Sequence, residues 1–297
     1  MRDTKRVQFA AVDAISTIQG GAGMADYTKF ANMDILVDVK DTIATVTLNR
    51  PDRLNALLPG MADGWREILR TANEDPDVGA VIITGAGRGF CSGADLGGMS
   101  QRSESQGDGA PPPRNFGGLQ YEAKYLIQDY LNFQKPLIAA VNGAAAGLGA
   151  TLALMCDVVF MADVARIGDT HVRAGLVAGD GGALIWPHLV GVNRAKELLM
   201  TGRMVGAEEA DKIGLANRVV PLDGLLDAAT KFAKELVDGP PMAIRWTKLT
   251  VNRILWQTYH SVMEFGLAME DMTMGSEDNK EAAKAFVEQR KPNFTGR

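Results

Sequence analysis

Apolar and polar positions change their period several times along the chain. Residues 35–51, ILVDVKDTIATVTLNRP, run through β-branched residues on both sides of the polar break Lys40-Asp41. That pattern predicts a β-hairpin closed off by the loop at Pro51. In GMADGWREILRTANED the period becomes helical, with Met61, Trp65, Ile68 and Leu69 on one face. GAVIITGAG and KPLIAAVNG are short unbroken apolar runs that leave into glycines, as strands covered on both faces do. With helical segments between them they predict a crossover α/β layout.

Between the two buried strands, SQRSESQGDGAPPPRNFGG at residues 100–118 is rich in Ser, Gly and Pro and has no apolar period. It predicts a surface loop rather than a domain linker, because strand and helix alternation resumes on both sides. Beyond Gly202 only helical periods are read: GAEEADKIG, LDGLLDAATKFAKELVD, PMAIRWTKLTVNRILWQT, HSVMEFGLAMEDMTM and NKEAAKAFVEQR. The expected division is a disordered leader over residues 1–33, an α/β core over 34–202 and a helical region over 203–297. The start has a basic head and a mildly apolar stretch, but Asp13 and Gln19 interrupt it and no clean cleavage pattern follows.

Composition narrows the class. With 297 residues, 46% hydrophobic and 23% charged, the chain has ordinary globular proportions and length for a large core. A net charge of -5 with no long basic run leaves no footprint for nucleic acid or an anionic membrane surface. No apolar run reaches membrane-spanning length. Cys91 and Cys156 form no CxxC and do not cluster with the three histidines, which points to a reducing compartment without structural zinc. A soluble cytoplasmic protein with no metal site is expected.

Two segments carry candidate chemistry. GFCSGADL, residues 89–96, and VNGAAAGLGATLALMCD, residues 141–157, both pass from a strand into a glycine-containing turn. Such turns release backbone N–H groups from the sheet ladder, and in the second a helix start adds further free donors. Neither matches GxGxxG or a P-loop, so nucleotide phosphates are poor candidates. Two such turns suit a developing negative oxygen, as a two-donor oxyanion hole.

LNRPDRLNAL, GRGFCSGADL, VNGAAAGLGATLALMCD and TGRMVGAEEADKIGLANRVVP, in that order, resemble the enoyl-CoA hydratase/isomerase (crotonase) family. The resemblance runs from about Ile35 to the C-terminus. It implies an α/β spiral of ββα units, a helical C-terminal trimerisation region giving a homotrimer or a dimer of trimers, and acyl-CoA thioester substrates. Coenzyme A would then enter as part of the substrate, with no separate cofactor. The resemblance also implies an oxyanion hole at the N–H groups of Ser92 and Leu148, and a CoA pocket drawing on Arg53, Leu54 and Ala56. Ala94, Asp95, Gly149 and Thr151 lie within these motifs as further substrate contacts, and Trp186 is large and apolar enough to line the acyl pocket.

The chain departs from the family where family hydratases carry two glutamates. Thr151 stands at the first position and His171 at the second. Threonine is no base near neutral pH, whereas the imidazole pKa lies near ~6.5 and suits general acid/base work. Asp180, nine positions on, could fix the ring tautomer and leave the other nitrogen for chemistry, or could instead cap the following helix. GDTHVRAGLVAGDGG and the helix beyond it resemble 6-oxocamphor hydrolase, a crotonase-family enzyme that cleaves a carbon–carbon bond in a cyclic β-diketone. That resemblance implies a catalytic His171 and Asp180, joined by Glu270. Hydrolysis of a β-diketone and an inactive acyl-CoA-binding homologue are therefore the alternatives to acyl-CoA hydration or isomerisation.

Overall fold

The computed structural model describes residues 25–95 and 118–297. Strands β1 (Ile35–Lys40) and β2 (Ile43–Leu48) form the expected hairpin. Its two loop residues, Asp41 and Thr42, both have positive φ, the geometry that keeps tightly joined strands in line with the natural twist. Helix α1 (Pro59–Glu74) buries Met61, Trp65, Ile68 and Leu69, the face its period predicts.

The next strands alternate between two sheets. β3 (Ala80–Gly85), β5 (Leu137–Val141) and β7 (Val158–Ala162) extend a larger sheet in the order β1-β2-β3-β5-β7-β10, parallel from β2 onward. β4 (Gly89–Cys91), β6 (Ala144–Ala146) and β8 (Arg166–Gly168) follow each of them into a smaller sheet completed by β9 (Val205–Gly206). The helices α2 (Gly118–Asn132) and α3 (Leu148–Leu154) close the second and third turns of this winding. The α/β crotonase spiral read from the sequence is therefore the fold. β5 is buried at every position and β3 at its first four, which accounts for their unbroken apolar runs.

Three expectations change. Residues 25–33 are not part of a disordered leader: Tyr27 and Phe30 are buried in the core, and a short 3-10 helix runs over Thr28–Met33. The core does not stop at residue 202, because β9 and β10 (Arg218–Val220) lie beyond it, and β10 pairs with β7. They are two and three residues long, too short to show a period. The two helices expected on either side of Tyr259 are one, α8 (Pro241–Met274), because no glycine or proline interrupts that join. The remaining helices are α4 (Gly182–Val190), α5 (Val192–Thr201), α6 (Ala207–Ile213), α7 (Leu225–Val237) and α9 (Glu277–Val287). The loop expected over residues 100–118 lies almost wholly outside the described residues. Among the described residues, no helix is long and apolar enough to cross a membrane.

Candidate active site

The two small sheets bring the two glycine turns side by side. β4 pairs with β6, and a Cβ placed on Gly149 would come within 2.1 Å of the Cys91 carbonyl oxygen. Gly149 is thus required by close backbone approach. A Cβ on Gly93 would lie 3.7 Å from the Leu148 nitrogen, so the turn after β4 faces the start of α3. Leu148 opens α3 behind Gly147, whose φ of 53° and ψ of -126° belong to glycine, and its N–H has no partner in the helix.

The first turn corrects the expected donor. The Ser92 N–H donates to the Leu54 carbonyl at 3.0 Å and is therefore occupied. One bridge, Leu57 with Ala94, sets the directions here. The Leu57 N–H donates to Gly93 O at 2.8 Å and the Asp95 N–H to Leu57 O at 3.0 Å, so the Ala94 N–H points the opposite way. It donates to no backbone carbonyl among the described residues. Ala94 and Leu148 are the pair of unengaged donors.

The loop over residues 50–57 is held by a residue that the sequence did not single out. Buried Asn55, at φ 56°, accepts from the Arg50 N–H and donates to the carbonyls of Ala86 and Gly89. Its role is to tie the 50–57 loop onto the strand that leads to Ala94. Leu54 also takes a positive φ there and is half-buried. Arg53 is exposed, and its carbonyl accepts from the Ser92 hydroxyl at 3.3 Å. The Ala56 carbonyl accepts from the Arg50 guanidinium, which also pairs with Asp95 at 3.0 Å.

His171 begins a 3-10 helix directly after β8, and its ring comes to the same place. A Cβ on Gly147 would lie 3.6 Å from His171 Cε1 and 3.9 Å from Nε2, so that edge of the imidazole abuts the glycine turn before α3. The ring nitrogen expected to be free is not. Asp169 Oδ1 sits 2.7 Å from Nδ1 and also accepts the His171 backbone N–H at 3.2 Å. Asp180 Oδ2 is 3.2 Å from Nε2, and Glu270 Oε1, reaching in from α8, is 3.9 Å from it. Asp180 does not cap α4, whose N-cap is Gly181 with no side-chain bond. The sequence reading missed Asp169; the signal available was an aspartate two residues before a histidine in a turn, where the carboxylate folds back onto the following backbone.

Glycines let this cluster close. A Cβ on Gly179 would meet the Gly266 carbonyl at 2.3 Å and Glu270 Oε2 at 2.8 Å, and one on Gly182 would meet Asp169 Oδ2 at 2.1 Å. The polar atoms Asp169 Oδ2, Asp180 Oδ1, Glu270 Oε2 and Thr151 Oγ1 are buried without a protein partner. Trp186 is wholly buried in α4 with its indole N–H likewise unpaired. Asp169, His171 and Asp180 do bring ligand-type atoms within 4.8 Å of one another. Each ring nitrogen, however, already faces its own carboxylate, an arrangement that holds a proton at either end rather than opening one nitrogen to an ion.

Three carboxylates around one ring set its charge. Burial opposes a charged imidazole, but Asp180 and Asp169 outweigh it and hold the His171 pKa well above the usual histidine range. Burial, followed by the Asp180 charge, pushes Glu270 up to about 8, with His171 acting against it. Both shifts favour the protonated form of the side chain. Both native pKa values exceed their unfolded ones, so their contribution is complete at low pH and declines as pH rises through this window. For Glu270 that window runs from 4.5 to about 8. Glu270→Gln is expected to flatten the decline in Tm across this range; an unchanged slope in thermal melts would show that Glu270 is ionised in the native protein.

His188 and His260 lie away from this cluster. His188 bonds the Thr258 hydroxyl on an exposed surface and His260 stacks on Trp256.

Comparison with known proteins agrees with the fold and the order of motifs. The sequence profile of the enoyl-CoA hydratase/isomerase family matches residues 38–297. A probable mitochondrial enoyl-CoA hydratase of Dictyostelium discoideum is 35% identical over 257 residues, covering 86% of this chain and 88% of that protein. A crotonyl-CoA hydratase of Syntrophomonas wolfei is 34% identical, covering 88% and 97%. The crystal structure of an enoyl-CoA hydratase from Mycobacterium avium subsp. paratuberculosis superposes with a TM-score of 0.78 at 30% identity, covering 88% and 98%.

Proposed function

Because the chain belongs to the enoyl-CoA hydratase/isomerase family, we propose that it processes acyl-CoA thioesters through an enolate held by the Ala94 and Leu148 N–H groups. The reaction is addition of water to an α,β-unsaturated acyl group, its reverse, or a shift of the double bond. One observation carries this reading: the edge of His171 lies against Gly147, next to the Leu148 donor.

Fixed N–H dipoles stabilise the charge that develops on the thioester oxygen without having to reorganise. Once that charge is held, the carbons beside the carbonyl can exchange protons with a nearby acid and base. A glutamate pair does this with one carboxyl ionised and the other protonated. Here the imidazolium of His171, shared with Asp180, and the protonated Glu270 divide the same work. One of the two acids, His171 or Glu270, gives a proton to carbon while the Asp180 carboxylate takes one from water or from the substrate, so that no net proton is gained or lost. The side chain at the first glutamate position, Thr151, is confined to orienting water or substrate through its unpaired hydroxyl.

Arg53, exposed on the loop before the first glycine turn, would meet the phosphates of the coenzyme. Assembly into a homotrimer or a dimer of trimers belongs to the same reading. Trp246, Phe265, Met272 and Phe286, exposed on α8 and α9, are the side chains it would cover. Carbon–carbon hydrolysis finds no support among the relatives named above, all of which are hydratases.

The test is the loss of conjugated-thioester absorbance when the protein is mixed with crotonyl-CoA and its longer homologues. Turnover is the expected result. Thermal stabilisation by these thioesters without turnover of any of them would replace the enzyme with a binding protein.

A further inference from the structure

We infer that Asp169 is the positioning residue of the site: it fixes the proton on Nδ1 of His171 and thereby makes Nε2 the nitrogen that exchanges protons with Asp180 and Glu270. The geometry is a chain of three side chains. Asp169 Oδ1 holds Nδ1 at 2.7 Å, and on the far side of the ring Nε2 faces Asp180 at 3.2 Å and Glu270 at 3.9 Å. An imidazole bound at one nitrogen by a buried carboxylate keeps a single tautomer, with the other nitrogen as its working end. Asp180, which the sequence offers as the orienting partner, stands at that working end instead.

Local structure supports the assignment. Asp169 follows β8 directly and its side chain is 1% exposed. Oδ1 receives both the ring and the backbone N–H of His171, so the carboxylate fixes the ring and its backbone together. Oδ2 occupies the space that any side chain at position 182 would need. The groups facing the ring are Asp169 from the end of β8, Asp180 from the loop before α4 and Glu270 from α8. Among the described residues no lysine or arginine pairs with these three carboxylates, so the imidazolium is their only cationic partner.

A purely structural role, in which Asp169 only folds the turn through the His171 backbone N–H, makes a different prediction. Asp169→Asn keeps the size and an acceptor for that N–H but removes the charge. On the positioning role it lowers kcat for crotonyl-CoA by at least ~10²-fold, with KM within about threefold of its original value. It also moves the His171 titration, followed by histidine-labelled NMR, down by more than about one unit. His188 and His260 are internal references, being the only other histidines. In the unmodified protein the neutral ring at high pH is the Nδ1–H tautomer, a measurement that needs no variant to fold.

An Nε2–H tautomer, or a His171 titration unmoved in Asp169→Asn, would overturn the assignment whatever happens to kcat. The kinetic arm rests on the proposed function, whereas the NMR arm does not. The expected tautomer and titration, in a protein that turns over no thioester, would sink the functional reading and leave Asp169 in place.

Discussion

Replacing His171 with alanine is expected to lower kcat for crotonyl-CoA by ~10²–10⁴-fold, the usual weight of a positioned acid/base. KM should change far less, because the Ala94 and Leu148 donors and the CoA loop remain. The variant also removes the only cation that, among the described residues, pairs with the buried Asp169, Asp180 and Glu270. Stranding buried charges in this way destabilises by ~3–5 kcal/mol, so Tm should fall as well. His171→Gln keeps a polar side chain in the space and separates the two effects: stability partly returns while kcat stays low. Steady-state kinetics beside thermal melts makes the measurement. Turnover within threefold of the unmodified enzyme in either variant would remove His171 from the chemistry.

The pH profile of the unmodified enzyme tests the sign of this dependence on His171. With the His171 pKa held above its ordinary range, the imidazolium is the form present at neutral pH. A reaction that needs it as an acid is therefore fully active at neutral pH and slows as pH rises through the raised pKa. Had His171 been a base with an ordinary pKa, activity would instead rise through the range around ~6.5. The surrounding carboxylates, rather than the residue type, decide which limb is seen.

What the sequence could show depended on the range of each interaction. The buried runs of β3 and β5 and the Met61, Trp65, Ile68 and Leu69 face of α1 are local patterns, and they appear as read. The two glycine turns were likewise legible, and the structure sets them side by side. Which N–H is left free was not legible, because Gly93, at φ 96°, breaks the regular alternation of peptide directions between Ser92 and Ala94. The Ser92 N–H donates to the Leu54 carbonyl, whereas the Ala94 N–H turns away from Leu57. His171 was conspicuous as a histidine at a glutamate position. Its protonation state was hidden, since it arises from Asp180 and Glu270, nine and 99 residues further on, and from an aspartate inside its own turn.

Leu148→Pro is expected to lower kcat by ~10²–10³-fold, the usual cost of losing one oxyanion donor. A backbone donor can rarely be deleted by mutation, but here the fold permits it. Leu148 is the first residue of α3, where proline is well tolerated because its missing N–H would have had no helical partner. Gly147 before it has no Cβ to clash with the proline ring. The side chain lost is only half-buried, so the change in stability should be modest. Loss of the donor must therefore appear in kcat more than in Tm, and more in kcat than in KM if the charge on oxygen develops mainly in the transition state. Leu148→Ala is the control, because it shortens the side chain and keeps the N–H. If the proline variant folds, binds CoA thioesters and matches the alanine variant in kcat, the negative oxygen lies elsewhere. The turn shared by Gly147 and His171 would then be a packing contact rather than the centre of the site.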